Sequence, residues 1–311
     1  MYIKKIEEEN NVFGDNIAFV QLWDFSKANT NDEARIEAIT TVASICYDNP
    51  GVVGKESLYN RLAAEAKGLP SSSFEFVPVL LDMDIYQDMA FAGFSYYEAE
   101  DGNDEFIMDV EKYGQFINVD DNGHSVRYLL TNYRALYHDN EKFGDHYKNQ
   151  HGKNLLESYN TDEFEQRIIS ENWTTFLMKM DMNTSKQHNR HRIVLQELSR
   201  RYVSGKKNAF EFYVSDKMKD VMSETVTLDG SKLVLGTNTL NDLMIAHYDA
   251  AIAKGIKPQE ARRILPQSMY TTIWSAFLPF QLDNYFALRD DLHAQHEIRW
   301  IAQSMKRLLN V

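Results

Sequence analysis

One stretch of this chain decides how the rest is interpreted: SKQHNRHRIVLQELSRRYVSGKKNAFEFY, residues 185–213. The whole chain carries a formal net charge of −13, yet this stretch concentrates side chains that are cationic or can become so. They are Arg190, His191, Arg192, Arg200 and Arg201. Because guanidinium groups donate paired hydrogen bonds that match phosphate, a cluster set against the overall charge indicates an anionic ligand.

A helical start to this stretch would place several side chains at spacings of three and four residues, on one face. They are Gln187, Arg190, Val194, Glu197 and Arg201, with the hydroxyl of Ser199 nearby. Guanidinium groups suit a phosphate, and an amide and a carboxylate suit the polar edge of a planar ring, so this face predicts a nucleotide site. An amphipathic surface helix with a solvated basic face is the alternative interpretation.

Aromatic residues follow the arginines, which raises the further hypothesis of a nucleic-acid surface. They are Tyr202, Phe210, Phe212 and Tyr213. The isoelectric point of about 5.2 argues against a polyanionic partner, because an acidic protein repels nucleic acid. We therefore expect a small anionic ligand and no nucleic acid.

The residues just before the stretch predict a strand. Residues 174–182 alternate, with Phe176, Met178, Met180 and Met182 on one side. Residues 183–185 are Asn, Thr and Ser, which favour a turn and a helix N-cap. The stretch is therefore predicted to begin at a helix start, a position suited to an anion.

Composition bounds the class of protein. With 311 residues, 43% of them hydrophobic, the chain can bury a sizeable core as one large or two modest domains. Cys46 is the only cysteine, which excludes an intrachain disulfide and a cysteine-based zinc cluster. The first residues lack a signal-type apolar core, and no apolar run is long enough to cross a bilayer. We expect a cytoplasmic protein without membrane contact.

Local patterns predict several further elements. Residues 17–25 favour a strand, and Asn31 or Asp32 can cap a helix with a stripe at Ile36, Ile39, Ala43 and Cys46. We also predict a helix over residues 57–67 and hairpin turns near residues 101–103 and 120–123. Residues 239–254 predict a helix with inward Leu240, Leu243, Met244, His247 and Ala251, and two prolines bound a short helix in 258–266. A last helix is predicted to pack through Ile298, Ile301, Met305 and Leu308.

His293, His296 and Glu297 resemble metal ligands on a helix. The zinc peptidase pattern, however, places its histidines four residues apart, with glutamate beside the first. We therefore interpret them as surface residues and expect no metal.

The stretch at residues 185–213 resembles the signature of flavin-dependent thymidylate synthases, and we call it the signature below. In that family an Arg-His-Arg triplet precedes Glu-x-Ser-x-Arg-Tyr; here the triplet is Arg190-His191-Arg192 and residues 196–202 read QELSRRY, with a spacer one residue shorter. Gln187, residues 176–182, residues 211–213 and residues 261–300 extend the resemblance.

Two flavin-binding elements of the family are altered. Glu75 and neighbouring serines remain from a Gly-His-x-Ser/Thr…Glu-His element, but both histidines are absent. Leu278 and Phe280 stand where the family has Asn-x-Arg. Asn132-Tyr133-Arg134 contains the same pattern elsewhere, and we hypothesise that it replaces the lost element; the alternative is that Arg134 is a surface cation.

The resemblance implies the family's own α/β (α+β) fold, with a mixed sheet, flanking helices and no Rossmann unit. It implies a single domain over residues 1–311, with an insertion at about 77–172. The implied reaction is the reductive methylation of dUMP to dTMP, in which methylenetetrahydrofolate gives the carbon and FAD carries hydride from NADPH. A homotetramer with sites between subunits is also implied.

Family roles transfer to matching positions. The resemblance assigns dUMP binding to Gln187, Arg190, Glu197, Ser199, Arg200, Arg201, Arg262 and Arg289. It assigns flavin contacts to Arg190, His191, Arg192 and Asn284. Arg289 matches the arginine that favours ionisation of the pyrimidine N3, since a guanidinium stabilises the anionic ring that forms as C5 becomes nucleophilic.

Two alternatives remain open. The altered flavin residues are also compatible with C5-hydroxymethylation of dUMP or with action on another pyrimidine nucleotide. A non-catalytic nucleotide-binding homologue that has lost flavin is the alternative from a different class.

Overall fold

A computed structural model describes residues 1–64, 70–82, 113–121, 124–143, 160–201, 203–205 and 209–311. Some predicted features lie outside these residues: the helix end at residues 67–68, the turn at 101–103, the turn residues 122–123, and Tyr202.

A five-stranded sheet forms the centre of the fold, in the order β1-β2-β6-β10-β7. Its strands are β1 (Lys4–Asn10), β2 (Phe19–Asp24), β6 (Thr174–Asp181), β7 (Val194–Glu197) and β10 (Tyr270–Phe277). Each pair of neighbours in this sheet runs antiparallel. The α+β class with flanking helices is confirmed. The expectation of a mixed sheet was wrong, because every pair of neighbouring strands in this sheet runs in opposite directions.

The alternation predicted for residues 174–182 is confirmed in β6 as far as Met180, whereas Met182, predicted on the same side, begins the next helix. Phe176, Met178 and Met180 are fully buried, while Leu177 and Lys179 between them are half-buried. The next strand, β10, is buried along nearly its whole length because helices cover both faces of the sheet.

The first face of the sheet is covered by helix α1 (Asp32–Tyr47). The side chain of Asn31 caps this helix by accepting the Ala34 N–H at 2.9 Å, as predicted. Ile39, Ala43 and Cys46 are buried and Ile36 is half-buried, so the apolar stripe is confirmed. Helix α2 (Glu56–Ala63) and a 3₁₀ turn (Ser72–Phe76) follow.

The predicted insertion begins with a three-stranded antiparallel sheet in the order β3-β5-β4. Its strands are β3 (Pro78–Asp82), β4 (Gln115–Asp121) and β5 (His124–Asn132), and the helices α3 (Tyr133–Phe143) and α4 (Glu163–Asn172) follow. Asp121 pairs with His124, which confirms the hairpin. Leu130, Leu136 and Ile168 join α1 in one core, so this segment packs on the main body; its limits as an insertion stay a prediction.

The second face of the sheet is covered by α9 (Pro279–Arg289) and α10 (His296–Leu309). The predicted stripe of Ile298, Ile301, Met305 and Leu308 is buried against the sheet, which confirms that α10 packs there.

A segment between β7 and β10 contradicts one prediction. It consists of α6 (Asp216–Lys219), the hairpin β8 (Met222–Val226) and β9 (Lys232–Gly236), α7 (Thr237–Ala253), α8 (Pro258–Ala261) and a 3₁₀ turn (Arg262–Ile264). Leu240, Leu243 and His247 are exposed, so the predicted inward face of α7 was wrong. The reason is that α7 packs on its neighbours in this segment, through Asn241 and Tyr248, instead of on the sheet.

In the described part of the chain, no helix is both long enough and apolar enough to cross a bilayer.

Candidate active site

The signature begins where α5 (Met182–His188) leaves the end of β6. Asp181 is its N-cap and accepts the backbone N–H groups of Asn183 at 2.9 Å and Thr184 at 3.3 Å. The prediction that residues 183–185 form the turn and cap was therefore wrong, because the carboxylate of Asp181 starts the helix earlier. The Arg-His-Arg triplet follows the C-terminus of α5, not a helix N-terminus.

The second half of the signature is extended. Residues 194–197 form β7, which pairs with β10 from Val194 opposite Ala276 to Glu197 opposite Ile273. The predicted helical face through Gln187, Val194 and Glu197 was therefore wrong. Backbone pairing with β10 and the β-branched residues at 193–194 outweigh the helical spacing.

The side chain of Glu197 nevertheless contacts α5 and the residue that follows it. The hydroxyl of Ser185 donates to Glu197 Oε1 at 3.1 Å, and the amide of Asn189 lies 3.5 Å from Oε2. The carboxylate is half-buried and held beside the end of α5. The tertiary fold thus brings Glu197 to the same helix as Gln187.

Arg289 joins this region from the C-terminal end of α9. Its Nε donates to His191 Nε2 at 2.7 Å, and its Nη2 donates to the carbonyl oxygen of Gln187 at 2.9 Å. The side chain of Gln187 contacts that of Gln295. Gln187 and His191 from the signature and Arg289 from a distant part of the chain therefore form one cluster.

The protonation state of His191 follows from this contact. Burial, and then the charge of Arg289, lower the pKa of His191 to about 4. His191 is therefore neutral near pH 7. Because its Nε2 accepts the hydrogen bond from Arg289 Nε, the single proton of the imidazole is on Nδ1. Burial also lowers the pKa of Arg289, whose guanidinium keeps its charge because arginine is protonated throughout the ordinary pH range.

The two arginines of the triplet face solvent. In the described part of the chain, neither guanidinium, of Arg190 or of Arg192, makes a hydrogen bond or an ion pair with a protein side chain. The backbone oxygen of Arg192 accepts from the Gln281 side chain at 2.7 Å, which holds the triplet against α9. Asn284 is exposed on α9. Unpaired guanidinium groups suit a phosphate or diphosphate ligand.

Leu278 and Phe280 cannot supply such donors. Leu278 is 4% exposed and lies in the core, and Phe280 is apolar and 53% exposed. If a flavin diphosphate were bound at this end of α9, the charged donors would have to come from the triplet. With those donors available, the residues present fit an FAD diphosphate.

The remaining signature residues lie beyond β7. Arg200 is buried and its guanidinium lies 4.9 Å above the Phe210 ring, while Arg201 is exposed. Burial lowers the pKa of Arg200. Ser199 is half-buried, and its carbonyl oxygen accepts the Val203 N–H at 3.1 Å. Substrate contacts of these residues stay predictions.

Arg262 stands apart from the cluster. It begins the 3₁₀ turn after α8 and is exposed, and within the described residues no hydrogen bond or ion pair joins it to another side chain. Within the described residues of a single chain, no hydrogen bond or ion pair connects Arg262 with Arg289.

Arg134 and Glu75 meet each other. Arg134 Nη1 pairs with the Glu75 carboxylate, and Arg134 Nε donates to the carbonyl oxygen of Pro70 at 2.9 Å. The two residues that the sequence connected separately with flavin elements therefore form one half-buried ion pair. A flavin contact of Arg134 stays a prediction.

Sequence reasoning missed three residues beneath the cluster. His188, Ser275 and Tyr285 are fully buried, and His188 is hydrogen-bonded to both hydroxyls. The spacing of four between Tyr285 and Arg289 on one helix was the available signal.

The histidines near the C-terminus make contacts of other kinds. His293 is exposed and its Nδ1 lies 2.9 Å from Asp291, and the ring of His296 lies 4.4 Å from that of Trp300. Among the described residues, no group of three or more His, Cys, Asp or Glu is arranged to hold a metal ion.

Comparison with known proteins identifies a family. The model of the family "Thymidylate synthase complementing protein" matches residues 124–310, starting within the predicted insertion.

Three curated relatives are all named "Flavin-dependent thymidylate synthase". The Aquifex aeolicus protein is 29% identical over 143 residues, which are 43% of this chain and 44% of the relative. The Treponema denticola protein is 32% identical over 163 residues, 49% of this chain and 58% of the relative. The Thermosipho melanesiensis protein is 31% identical over 164 residues, 50% of this chain and 68% of the relative. The chain thus spans about half the length of the first two relatives.

Among solved structures, a UMP/dUMP methylase from Streptomyces cacaoi bound with 5-Br dUMP matches with a TM-score of 0.35 and 21% identity. The match covers 51% of this chain and 80% of that one.

Because the family model covers more than half of the chain, the resemblance noted in the signature is confirmed. The chain belongs to the thymidylate synthase complementing protein family.

Proposed function

We propose that the protein is a flavin-dependent thymidylate synthase, a methyltransferase that converts dUMP to dTMP with methylenetetrahydrofolate and NADPH. The observation that carries this proposal is the cluster in which His191 and the Gln187 carbonyl hold Arg289 beside the unpaired Arg190 and Arg192. Family membership and the names of the curated relatives support it.

Arg289 would act on the pyrimidine. Its contacts to His191 and Gln187 use two of its N–H groups and leave the rest of the guanidinium for a ligand. A guanidinium beside N3 of the base stabilises the anionic ring, which makes C5 a carbon nucleophile. Because His191 is neutral, its Nε2 can accept the hydrogen bond from Arg289 Nε, and its ring adds no positive charge there.

Charge and orientation are the protein's contribution to this chemistry. Arg190 and Arg192, with Asn284 and His191, would hold FAD. When bound, FAD supplies hydride transfer between NADPH and the transferred carbon. Glu197, held by Ser185, presents fixed acceptor oxygens beside the nucleotide.

Phosphate and sugar would be bound by the remaining signature residues. They are Ser199, Arg200 and Arg201, joined by Arg262 from outside the signature and by Arg190, which is shared between nucleotide and flavin. Since Arg262 stands apart in one copy, we propose a homotetramer in which Arg262 of one subunit completes the site of another. Exposed Leu240 and Leu243 on α7, which packs against the turn that carries Arg262, support an interface there.

The assay is product analysis by liquid chromatography and mass spectrometry. Purified protein is incubated with FAD, dUMP, methylenetetrahydrofolate and NADPH, and dTMP is the expected product. Hydroxymethyl-dUMP as the product would instead show that water captures the methylene-bearing nucleotide before hydride reaches it. This alternative is considered because the apolar Leu278 and Phe280 stand where the family has a flavin-binding element. Binding of dUMP without either product would refute a catalytic role.

Flavin binding is measured separately, by the visible absorption spectrum after addition of FAD and then dUMP. Arg192→Ala is expected to lower flavin occupancy, because it removes an unpaired donor. Arg307→Ala is the matched control, since Arg307 is exposed and paired with Glu9 away from the cluster. Equal occupancy in both variants would contradict the assignment of Arg192.

A further inference from the structure

His188 is a buried histidine that the proposed function does not use. It is the last residue of α5 and is fully buried, between the sheet and α9. Its Nε2 lies 2.8 Å from the hydroxyl of Ser275 on β10, and its Nδ1 lies 2.9 Å from the hydroxyl of Tyr285 on α9. The imidazole therefore bridges the sheet and the helix that carries Arg289.

His188 is neutral in this position. Burial, and then the nearby His191 and Arg289, lower its pKa to about 3. A neutral imidazole has one N–H and one acceptor nitrogen, and either tautomer satisfies both hydroxyls because each hydroxyl can donate or accept. Within the described residues, His188 is the only hydrogen-bond partner of the Ser275 and Tyr285 hydroxyls.

Tyr285 connects His188 to the cluster above it. Its ring centroid lies 4.6 Å from that of His191, and it precedes Arg289 by one helical turn on α9. His191 in turn accepts from Arg289 Nε at 2.7 Å. A shift of Tyr285 would therefore move both the ring that supports His191 and the helix turn that carries Arg289.

We propose that His188 is a positioning residue for Arg289, acting through Tyr285 and His191. This inference rests on the proposed function, in which Arg289 acts on the nucleotide base. An apolar ring would fill the same volume but leave the buried hydroxyls of Ser275 and Tyr285 without a partner, so this position requires hydrogen bonding as well as filled space.

His188→Phe tests this by keeping a ring while removing both hydrogen bonds. We expect kcat and kcat/KM for dUMP to fall together by about tenfold to a hundredfold, because Arg289 loses its alignment in the transition state. His188→Asn, which can still contact the Tyr285 hydroxyl, is expected to recover most of kcat.

Thr184→Val is the matched control for lost stability. Thr184 lies one turn earlier on α5, is fully buried, and donates its hydroxyl to Asp181 at 2.5 Å; among the described residues no hydrogen bond joins it to Tyr285. We expect this variant to lose stability but to keep the kcat of the unmodified protein. A kcat for His188→Phe within twofold of that control would overturn the proposal.

A second readout does not depend on activity. In ligand-free protein, ¹⁵N NMR of the histidine side chains is expected to show His191 with an unprotonated Nε2, which accepts from Arg289. His188→Phe should convert this signal to that of mixed tautomers, and an unchanged His191 spectrum would overturn the positioning role whatever happens to kcat. If the unmodified protein does not convert dUMP, the proposed function fails, and the His191 spectrum still decides the role of His188.

Discussion

Replacing Arg289 with glutamine tests the chemistry of the site most directly. Glutamine removes the charge but keeps a polar group near the carbonyl oxygen of Gln187, which now lies 2.9 Å from Arg289 Nη2. If the guanidinium stabilises the anionic pyrimidine, its loss resembles loss of an oxyanion donor and costs about 2.7–4 kcal/mol, a fall in kcat of about 10²–10³. Binding of dUMP should change less than kcat, since the charge develops in the transition state.

The same substitution should change His191. The charge of Arg289 is the second cause, after burial, that holds the pKa of His191 near 4. Removing it should raise that pKa toward the ordinary value of a histidine, while burial keeps it below that value.

Two assays check these expectations: steady-state kinetics with dUMP, and NMR titration of His191 in ligand-free protein. Arg307→Gln, at an exposed arginine paired with Glu9, is the control and should alter neither result. A kcat of Arg289→Gln within threefold of the control would refute the proposed role of Arg289. An unchanged pKa of His191 would refute the electrostatic coupling between the two residues.

Three further outcomes are expected. The folded-state pKa of His188, about 3, lies below its unfolded value near 6.5, so its contribution to stability is present above pH 6.5 and is lost as pH falls toward 3. Between pH 6.5 and 5 the loss is about 2 kcal/mol, and urea titrations of His188→Asn should show a shallower decline. Asp181→Ala should lower the free energy of unfolding in urea by about 1–2 kcal/mol, because the N–H groups of Asn183 and Thr184 lose their cap. Leu243→Asp on the exposed face of α7 should lower the mass measured by light scattering below that of a tetramer, and an unchanged mass would place the interface elsewhere.

Local sequence patterns predicted the elements that pack on the sheet. The alternation in β6 and the stripe of Ile298, Ile301, Met305 and Leu308 in α10 matched the buried faces, because in an element of the sheet core the side-chain period determines which residues face inward. The signature residues also identified the family without the structure, since Arg-His-Arg and QELSRRY are adjacent in the chain.

Helical spacing failed inside the signature. Gln187, Val194 and Glu197 have the spacing of a helix face, but the backbone of residues 194–197 pairs with β10 as an edge strand. Sequence spacing cannot reveal a partner strand that lies about 80 residues away, so this competition was decided by tertiary pairing.

The sequence by itself determined the family, the periodic elements and the residue types available for an anionic ligand. Only the tertiary structure decided that Arg289 rests on His191, that Glu197 returns to α5, and that His188 joins β10 to α9 through Ser275 and Tyr285. The physical reason is that a local pattern records which face of an element avoids water. Hydrogen bonds between distant side chains instead depend on how the packed elements bring their ends together.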